Sequence, residues 1–537
     1  MSEAIKTQDP TRRADSATPN PPAAAVTPKD AAAVILWRAR DGAESDAGGT
    51  SVPEVYIARR GERLAFLGGF YAFPGGQRDA ADAGTRVEHA EQAEGDAPDL
   101  AAMIACAARE LFEEVGVLVA RGADALTRGQ RASLLDDVQS GRMSFSEMLA
   151  HYGLNLDARD FRFVGRWVTP PFSPRRFDTL FFLVECPRKQ EPQILTTEFE
   201  RGEWIDARAA VERWRRSEML VAPPVLHALE VLSAGLTDDL VERFLSVPQA
   251  RREPVRRIEF VPGFVCFPVR TPTKPPFTHT NCYIVGTREL VVIDPASPDA
   301  GEQSALAACL DEMRRDGSTV REIIITHLHP DHIGGVNALV SHLGGGVRVA
   351  AHRLTAEALG GTIRVERLIE DEELIQLEGE PRINLRALHT PGHARGHLCF
   401  YEERTGVLLT GDNILGIGSS IIDPPEGNLS DYLRTLERMR DLPNLKVLLS
   451  AHGPAIGGAR AKVEEYIAHR QERERNILKA VGAGAATPAE IVARVYTDVH
   501  PKMHAMAERS VLAHLEKLAD DNSIKHEGGR WTIDDRP

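Results

Sequence analysis

The sequence is poor in the features that mark secreted and membrane proteins. Its 537 residues include only six cysteines, all scattered and none in a C-x-x-C pair. That pattern excludes a disulfide framework and indicates a reducing compartment, so we expect a cytoplasmic protein. No run of residues approaches the roughly 18 apolar positions that a membrane span needs. We therefore expect no membrane as a partner.

Excess basic charge is also absent. The chain carries 64 Lys and Arg against 78 Asp and Glu, a formal net charge of −14. A chain this acidic has no global attraction for nucleic acid, so any contact with RNA needs a local basic patch. Arginines do cluster between Arg251 and Arg257, but such a short run is more typical of a solvated connector.

The length predicts three or four domains, at roughly 150 residues per domain. The first residues are rich in Ala, Pro, Thr and Asp, and Arg12-Arg13 is not followed by the apolar core of an export signal, so this segment is expected to be disordered. We divide the chain into a disordered tail at 1–29, a first domain at 30–246, a linker at 247–258, a second domain at 259–465 and a third domain at 466–537.

Hydrophobic patterns predict an α/β arrangement in the first two domains, because strands alternate with helices. In the first domain we predict strands at 31–38, 54–60, 162–168 and 177–185, a helix at 101–119 that runs into a strand, and helices over 206–246. In the second we predict strands at 282–286, 290–293, 322–326, 347–351 and 407–410, and a helix at 301–315.

The third domain has the outline of a winged helix. Thr487 caps a helix that starts with Pro488 and has Glu490 at its third position, which is a typical helix start. An amphipathic helix is predicted at 508–520, followed by an alternating segment around Gly528-Gly529. That last pattern indicates a hairpin.

A histidine cluster is the clearest chemical feature. Residues 326–335 read THLHPDHIGG and follow an apolar strand. Two histidines two positions apart on an extended segment point the same way, so His327 and His329 can reach one ion. Asp331 and His332 follow on the turn and can reach a second ion. Imidazole with carboxylate suits zinc, although iron and manganese also use this mixture.

Three further elements follow in order, each after a strand-like run. They are TPGH with His393, TGD with Asp412 and SAHGP with His452. Together with the cluster they make the region 260–460 resemble the metallo-β-lactamase superfamily, which has an αββα sandwich with a two-metal site at one edge. The resemblance implies a first metal held by His327, His329 and His393, a second held by Asp331, His332 and His452, and a bridging Asp412.

The same resemblance implies the chemistry and the supporting residues. Two zinc ions, or iron or manganese, would activate a hydroxide for attack on an electrophilic carbon or phosphorus, with Asp331 as a catalytic residue. Asp294, in VVIDPAS, resembles the family's supporting aspartate. His397, in PGHARGH, is expected either to support a ligand or to contact the substrate.

The stretch after Asp412 narrows the resemblance to one branch. GDNILGIGSSIIDPPEGNLSDYL, and then His469, Arg470, Arg473 and Glu474 before the winged helix, resemble the β-lactamase-like protein 2 family, which includes endoribonucleases of single-stranded RNA. The PGH-x-x-GH segment is shared with hydroxyacylglutathione hydrolases, which cleave thioesters. A phosphodiester (RNA-like) substrate and a thioester substrate both stay open.

The first domain carries a second candidate site. FPGG at 73–76 and RELFEEVGV at 109–117 resemble the motif of Nudix hydrolases, which fold as α/β/α sandwiches. Glu110, Glu113 and Glu114 lie at i, i+3 and i+4 and share one helical face. Oxygen-only ligation favours magnesium or manganese bridging a diphosphate, with Glu113 and Glu114 as catalytic residues and Arg109 anchoring the loop.

This motif departs from the usual spacing. Gly76 and Arg109 are 33 residues apart in this sequence, so about 19 residues are inserted relative to the family, and the position of the usual intermediate glutamate is occupied by Ala101. The insertion and the segment WVTPPFSPRRFDTLFFL are similar to Nudix proteins of the peroxisomal coenzyme A diphosphatase type. We expect hydrolysis of a nucleoside diphosphate derivative; the alternatives are a domain that only senses a nucleotide or coenzyme A ligand, and outer domains that position RNA.

Overall fold

The computed structural model describes residues 26–39, 51–64, 66–92, 99–173, 175–497, 500 and 503–534. Residues 1–25 of the predicted tail therefore lie outside the described residues. All six cysteines are described, and each is a buried free thiol. Among the described residues, no helix is both long and apolar enough to cross a membrane.

The N-terminal part is built on a mixed seven-stranded sheet with the order β3-β2-β1-β8-β7, in which β4 pairs with β1 and β9 with β2. The strands of this part are β1 (Lys29–Arg38), β2 (Glu54–Arg60), β3 (Tyr71–Ala72), β4 (Gly75–Gln77), β5 (Val87–Glu88), β6 (Leu156–Asp157), β7 (Arg162–Val168), β8 (Phe177–Glu185) and β9 (Phe199–Asp206). Its helices are α1 (Leu100–Val115), α2 (Arg128–Gln139), α3 (Phe145–His151), α4 (Ala207–Arg215), α5 (Pro223–Ser233) and α6 (Leu240–Phe244). Short 3-10 helices lie at Ala80–Gly84, Ala90–Gln92, Ala123–Ala125, Ala158–Asp160 and Pro248–Ala250.

Helices cover both faces of this sheet because its central strand is apolar on both sides. In β1, Val34 and Leu36 pack with helices α1 to α3, whereas Ala33 and Ile35 pack with α4 to α6. A strand that is buried on both faces reads as a continuous hydrophobic run rather than as an alternating one. Successive residues of β1 point to opposite faces of the sheet, and helices pack on both faces. This gives the predicted α/β/α layers.

One predicted strand in this part is wrong. Helix α1 ends at Val115, where Gly116 adopts a left-handed conformation with φ of 71°, and the residues up to 119 form no strand in the described chain. The apolar run is buried for another reason. The backbone N–H of Leu118 donates to the side chain of Gln190, which donates back to the carbonyl of Leu118. A side-chain amide therefore takes the place of a neighbouring strand.

The central part contains two sheets. The first has the order β10-β11-β12-β13-β14-β15-β16 and the second β17-β18-β19-β20-β21. The first sheet consists of β10 (Ile258–Val261), β11 (Phe264–Arg270), β12 (His279–Val285), β13 (Glu289–Ile293), β14 (Thr319–Ile325), β15 (Arg348–Ala351) and β16 (Arg367–Leu368). The second consists of β17 (Leu374–Leu377), β18 (Ile383–His389), β19 (Leu398–Glu402), β20 (Val407–Gly411) and β21 (Val447–Ser450). The helices are α7 (Ala300–Arg315), α8 (Pro330–Ile333), α9 (Val336–Leu343), α10 (Arg353–Leu359), α11 (Leu429–Arg440) and α12 (Ala459–Gly482).

The two sheets pack face to face, with helices on their outer faces. Inward residues of both sheets, such as Val291 and Leu409, share one hydrophobic cluster. Outward residues of the first sheet pack with α7 and α9, and those of the second pack with α11 and α12. This is the predicted αββα order of layers, and it leaves the loops that follow β14, β18, β20 and β21 free to meet at one edge.

The C-terminal part consists of α13 (Pro488–Val495), α14 (His504–Asp520), β22 (Ile524–Glu527) and β23 (Arg530–Ile533). Thr487 and Glu490 form the reciprocal capping box at the start of α13. The turn between β22 and β23 contains Gly528 and Gly529, with φ of 58° and 77°, which suits a tight hairpin. The predicted helices and hairpin are therefore present.

The N-terminal and central parts share a hydrophobic core, which the predicted linker gave no reason to expect. The cluster between the two central sheets continues into α4 and α5 of the N-terminal part. Trp214 donates to the carbonyl of Phe260 at 3.2 Å, and the rings of Phe70 and Phe260 are 5.5 Å apart. A Cβ on Gly69 would meet the backbone of Gly457 at 2.9 Å. Only glycine permits this approach.

Candidate metal centre

The four predicted loops meet at one end of the central sandwich. Strands β14, β18, β20 and β21 end just before the segments that carry the candidate ligands. These side chains form two groups whose ligand atoms lie within 4.8 Å of one another: His327, His329, His393 and Asp412 in one group, and Asp331, His332 and His452 in the other. The structure therefore brings together all seven residues that the sequence pointed to.

Asp412 stands between the two groups. One of its oxygens lies 3.6 Å from Nε2 of His393, and the other lies 3.4 Å from Nε2 of His332 and 3.3 Å from Nε2 of His452. On the first side, Nδ1 of His329 is 2.9 Å from Nε2 of His327 and 3.0 Å from Nε2 of His393. This arrangement is what a carboxylate shared by two cations requires.

Three buried polar atoms where the two groups meet test whether a cation fits. Within the described chain, Nε2 of His332, Nε2 of His452 and Oδ1 of Asp412 are buried without a hydrogen-bond partner. Buried polar atoms are almost always satisfied, so three adjacent exceptions need an explanation. Imidazole nitrogens and a carboxylate oxygen that converge in this way are a suitable donor set for divalent metals.

The charges of the first group agree with this fit. Burial, together with the neighbouring imidazoles, lowers the pKa of His327 well below its usual value, and burial lowers that of His329 to about 4. Although burial opposes it, the nearby His452 and His332 hold the pKa of Asp412 well below its usual value. Neutral imidazoles and an ionised carboxylate are the forms that bind a cation. In the second group, although burial opposes it, Asp412 raises the pKa of His332 well above its usual value and that of His452 to about 9. A cation bound there would therefore displace a proton from each of these two rings.

Two predicted supporting residues lie directly behind these side chains. Asp294 accepts from the backbone and hydroxyl of Thr326, and one of its oxygens is 2.7 Å from Nδ1 of His332. His397 is fully buried and accepts from the backbone N–H of Asp412 at 3.2 Å. Both residues can therefore orient a candidate ligand from behind.

Other supporting residues were missed in the sequence. Ser420 and the carbonyl of Ile421 lie 3.2 Å and 2.7 Å from Nδ1 of His393. The buried Arg470 of α12 donates to the carbonyl of Ser420. Phe277 stacks on His452 with ring centroids 5.3 Å apart. The repeated Ser-Ser before Ile421 and the HR-x-x-RE segment were the only visible hints, since these contacts join residues that are between 27 and 175 positions apart.

The N-terminal glutamates lie on α1 and form a second candidate site, separate from the histidines. Glu114 accepts from the backbone N–H of Gly75 at 2.8 Å. A Cβ on Gly76 would lie 2.5 Å from the carboxylate of Glu110, so the FPGG segment approaches this face of α1 closely. Burial is the largest influence on Glu110, Glu113 and Glu114 and raises the pKa of each. Desolvated carboxylates on one face are stabilised by a bound cation.

The inserted segment between Gly76 and Arg109 supplies an acidic partner for Arg109. Arg109 donates to both oxygens of Asp82, at 2.8 and 3.0 Å, and to the carbonyl of Gln77. Asp82 is buried in a 3-10 helix within the insertion, where its side chain also accepts from the backbone N–H of Asp79, the residue that caps this helix. It holds Arg109, and so the loop beside the glutamates, from a position that spacing alone could not identify.

Three family models match the chain. They describe the metallo-beta-lactamase superfamily over residues 275–452, the beta-lactamase associated winged helix domain over 487–531 and the NUDT19 Nudix domain over 85–232. The lactamase-like protein adaB of Aspergillus niger is 31% identical over 265 residues, which are 46% of this chain and 78% of that protein. This chain belongs to the metallo-beta-lactamase superfamily.

Two further relatives match a similar length of this chain. The beta-lactamase-like protein 2 homolog of Caenorhabditis elegans is 28% identical over 255 residues, 47% of this chain and 83% of that protein. The atrochrysone carboxyl ACP thioesterase of Aspergillus chevalieri is 32% identical over 270 residues, 47% and 81% respectively. The predicted resemblance is confirmed: a metallo-β-lactamase domain is followed by a winged helix and preceded by a Nudix domain, in a multidomain α/β chain.

Proposed function

We propose that the metallo-β-lactamase domain hydrolyses a thioester with the aid of two metal ions. The observation that carries this proposal is the pair of ligand groups that share Asp412, with three buried atoms left partnerless in the described chain. A relative named as an ACP thioesterase, with 81% of its length covered, supports a thioester over a phosphodiester. The acidic balance of the chain, −14, gives no general attraction for RNA.

The seven side chains would be the ligands of two ions. His327, His329 and His393 would hold one ion, Asp331, His332 and His452 the other, and Asp412 both. Ions held there would supply an activated water and would neutralise charge that develops on the substrate's carbonyl oxygen.

The acidic side chains would position the reacting groups. The carboxylate of Asp331 lies 3.5 Å from Nε2 of His452, and 17% of its side chain is accessible to solvent. It would accept a hydrogen bond from the attacking water. Asp294 would fix the ring of His332 through its Nδ1, so that Nε2 stays turned toward the site.

We further propose that the Nudix domain hydrolyses a nucleoside diphosphate derivative with magnesium or manganese. The support is the desolvated face of Glu110, Glu113 and Glu114, held against the backbone of Gly75 and beside the Arg109–Asp82 pair. Glu113 is the most exposed of the three glutamates, with 28% of its side chain accessible. It is therefore the best placed to orient a water beside the ion.

One screen tests both proposals. Purified full-length protein, loaded with zinc and with magnesium, would be assayed against acyl thioesters, single-stranded RNA, and coenzyme A and nucleoside diphosphate derivatives. The variants would be His327→Ala with His329→Ala, and Glu113→Gln. We expect the first variant to lose only thioester hydrolysis and the second only diphosphate hydrolysis. RNA cleavage that the histidine variant abolishes, without thioester hydrolysis, would replace the first proposal.

A further inference from the structure

An apolar cavity lies at the junction of the Nudix and metallo-β-lactamase domains. Its volume is about 200 Å³, and its walls are mainly aromatic and aliphatic side chains. The Nudix domain contributes Phe172, from the segment between β7 and β8, and Phe177 and Thr179 of β8. The metallo-β-lactamase domain contributes Phe260 and the loop of Gly453 and Pro454. Neither domain could form this cavity alone.

The cavity adjoins the residues of the candidate metal centre. Gly453, in its wall, directly follows the candidate ligand His452. The ring of Phe172 lies 6.2 Å from that of His279, and the carbonyl of His279 is 2.9 Å from Nδ1 of His452. The cavity wall is therefore linked to His452 in two ways: Gly453 is its neighbour in the chain, and Phe172 reaches it through His279.

Several polar groups in the wall already have partners within the protein. The amide of Asn281 donates to the carbonyls of Ser450 and Gly453, and the hydroxyl of Tyr283 also donates to the carbonyl of Ser450. The hydroxyl of Thr169 accepts from the backbone N–H of Phe177. A ligand in this space gains by burying apolar surface and is offered few polar partners. These walls suit a hydrocarbon chain and not a nucleotide.

We propose that this cavity binds the apolar acyl chain of the thioester that is hydrolysed at the neighbouring metal centre. The inference rests on the proposed thioesterase function and names its substrate class: a medium-chain acyl thioester. It also gives the Nudix domain a second role, as one wall of the other domain's substrate site. The hydrophobic core that the two domains share would keep the two walls of the cavity in a fixed position relative to each other.

The test is a series of N-acetylcysteamine thioesters with acetyl, butyryl, hexanoyl, octanoyl and decanoyl chains, assayed with zinc-loaded full-length protein. Burial of one methylene corresponds to about a fourfold gain in affinity. We therefore expect kcat/KM to rise with chain length until the cavity is full. Thr179→Phe should fill the cavity, lower kcat/KM for the octanoyl substrate by at least about tenfold, which is the loss of room for two methylenes, and leave the acetyl substrate nearly unchanged.

Two more variants keep the result interpretable. Thr319→Phe makes the same substitution at an exposed strand position of the metallo-β-lactamase domain and should leave the whole series unchanged. Ala222→Leu fills the cavity from the start of α5. If Thr179→Phe no longer hydrolyses the acetyl substrate, that substitution has disturbed more than the cavity. Ala222→Leu then takes its place in the test.

A flat chain-length series with active enzyme, or filled variants that treat octanoyl and acetyl substrates alike, would overturn the acyl-chain site and leave the thioesterase proposal standing. A metal-loaded protein that hydrolyses no thioester of any length would overturn both.

Discussion

Arg470 offers a test of how the C-terminal helix supports the metal centre from a distance. Its guanidinium is buried, donates to the carbonyl of Ser420 and lies 5.3 Å from the ring of Tyr432. Ser420 in turn contacts the back of His393. Replacing Arg470 by Met keeps most of the apolar stem but removes the donor, which leaves a buried carbonyl unpaired.

Two magnitudes follow from these contacts. A hydrogen bond from a charged donor contributes roughly 1.5–3 kcal/mol; a loss of about 2 kcal/mol corresponds to a fall in Tm of roughly 4–8 °C for a domain of this size. A partner that orients a metal-binding histidine typically accounts for about 10- to 100-fold in metal affinity. We therefore expect Arg470→Met to weaken zinc binding by at least about tenfold.

The assay is competition for zinc against a chromophoric chelator, with thermal unfolding measured on the same samples. Arg460→Met is the matched control, because Arg460 lies on the same helix and donates to the carbonyls of Arg440 and Leu442, away from the histidines. It should lower Tm without changing zinc affinity. Equal zinc affinities for Arg470→Met and the wild type, or equal losses in both variants, would refute the chain of contacts through Ser420.

Three further predictions concern individual carboxylates. Asp331→Asn should lower the rate of thioester hydrolysis by at least about 100-fold, and a near wild-type rate would show that Asp331 does not position the reacting water. Glu113→Gln should abolish diphosphate hydrolysis and spare thioester hydrolysis, since the two sites share no ligand; loss of both activities in a folded variant would reveal coupling through the shared core. Burial raises the pKa of Glu114 well above its usual value, so its contribution to stability is present at low pH and is lost as the pH rises through the raised pKa. Glu114→Gln should therefore raise Tm in chelator at neutral pH and reduce the further rise that magnesium produces, and an unchanged Tm would argue against a costly buried carboxylate.

Sequence patterns predicted the features that depend on local rules. A buried strand ending before THLHPDH fixed the place of the histidines, and the Thr487–Glu490 capping box and Gly528-Gly529 marked α13 and the hairpin. The convergence of four loops could be expected because each follows a strand of one sandwich. These features are decided by a few neighbouring residues, so the sequence contains most of the information.

Contacts between distant segments could not be predicted in this way. Asp82 lies 27 residues before Arg109 in an insertion, and no spacing rule identifies it as the partner. The apolar run after α1 has the pattern of a strand, but it forms none. The Gln190 side chain, which pairs with the backbone of Leu118, is 72 residues away in the chain, so no local pattern reveals it. The shared core and the cavity depend on two domains docking, and hydrophobic periodicity shows that a face is buried but not what buries it.

The proposed thioesterase activity requires metal ions held by the two ligand groups. Its most direct test measures bound metal per chain and hydrolysis of a hexanoyl thioester on the same preparations of wild-type protein and of the His327→Ala, His329→Ala variant. We expect the variant to lose metal from the metallo-β-lactamase domain and to lose thioester hydrolysis, while it retains its Nudix activity and its fold. Unchanged metal content, or thioester hydrolysis that continues at the wild-type rate in the variant, would contradict it.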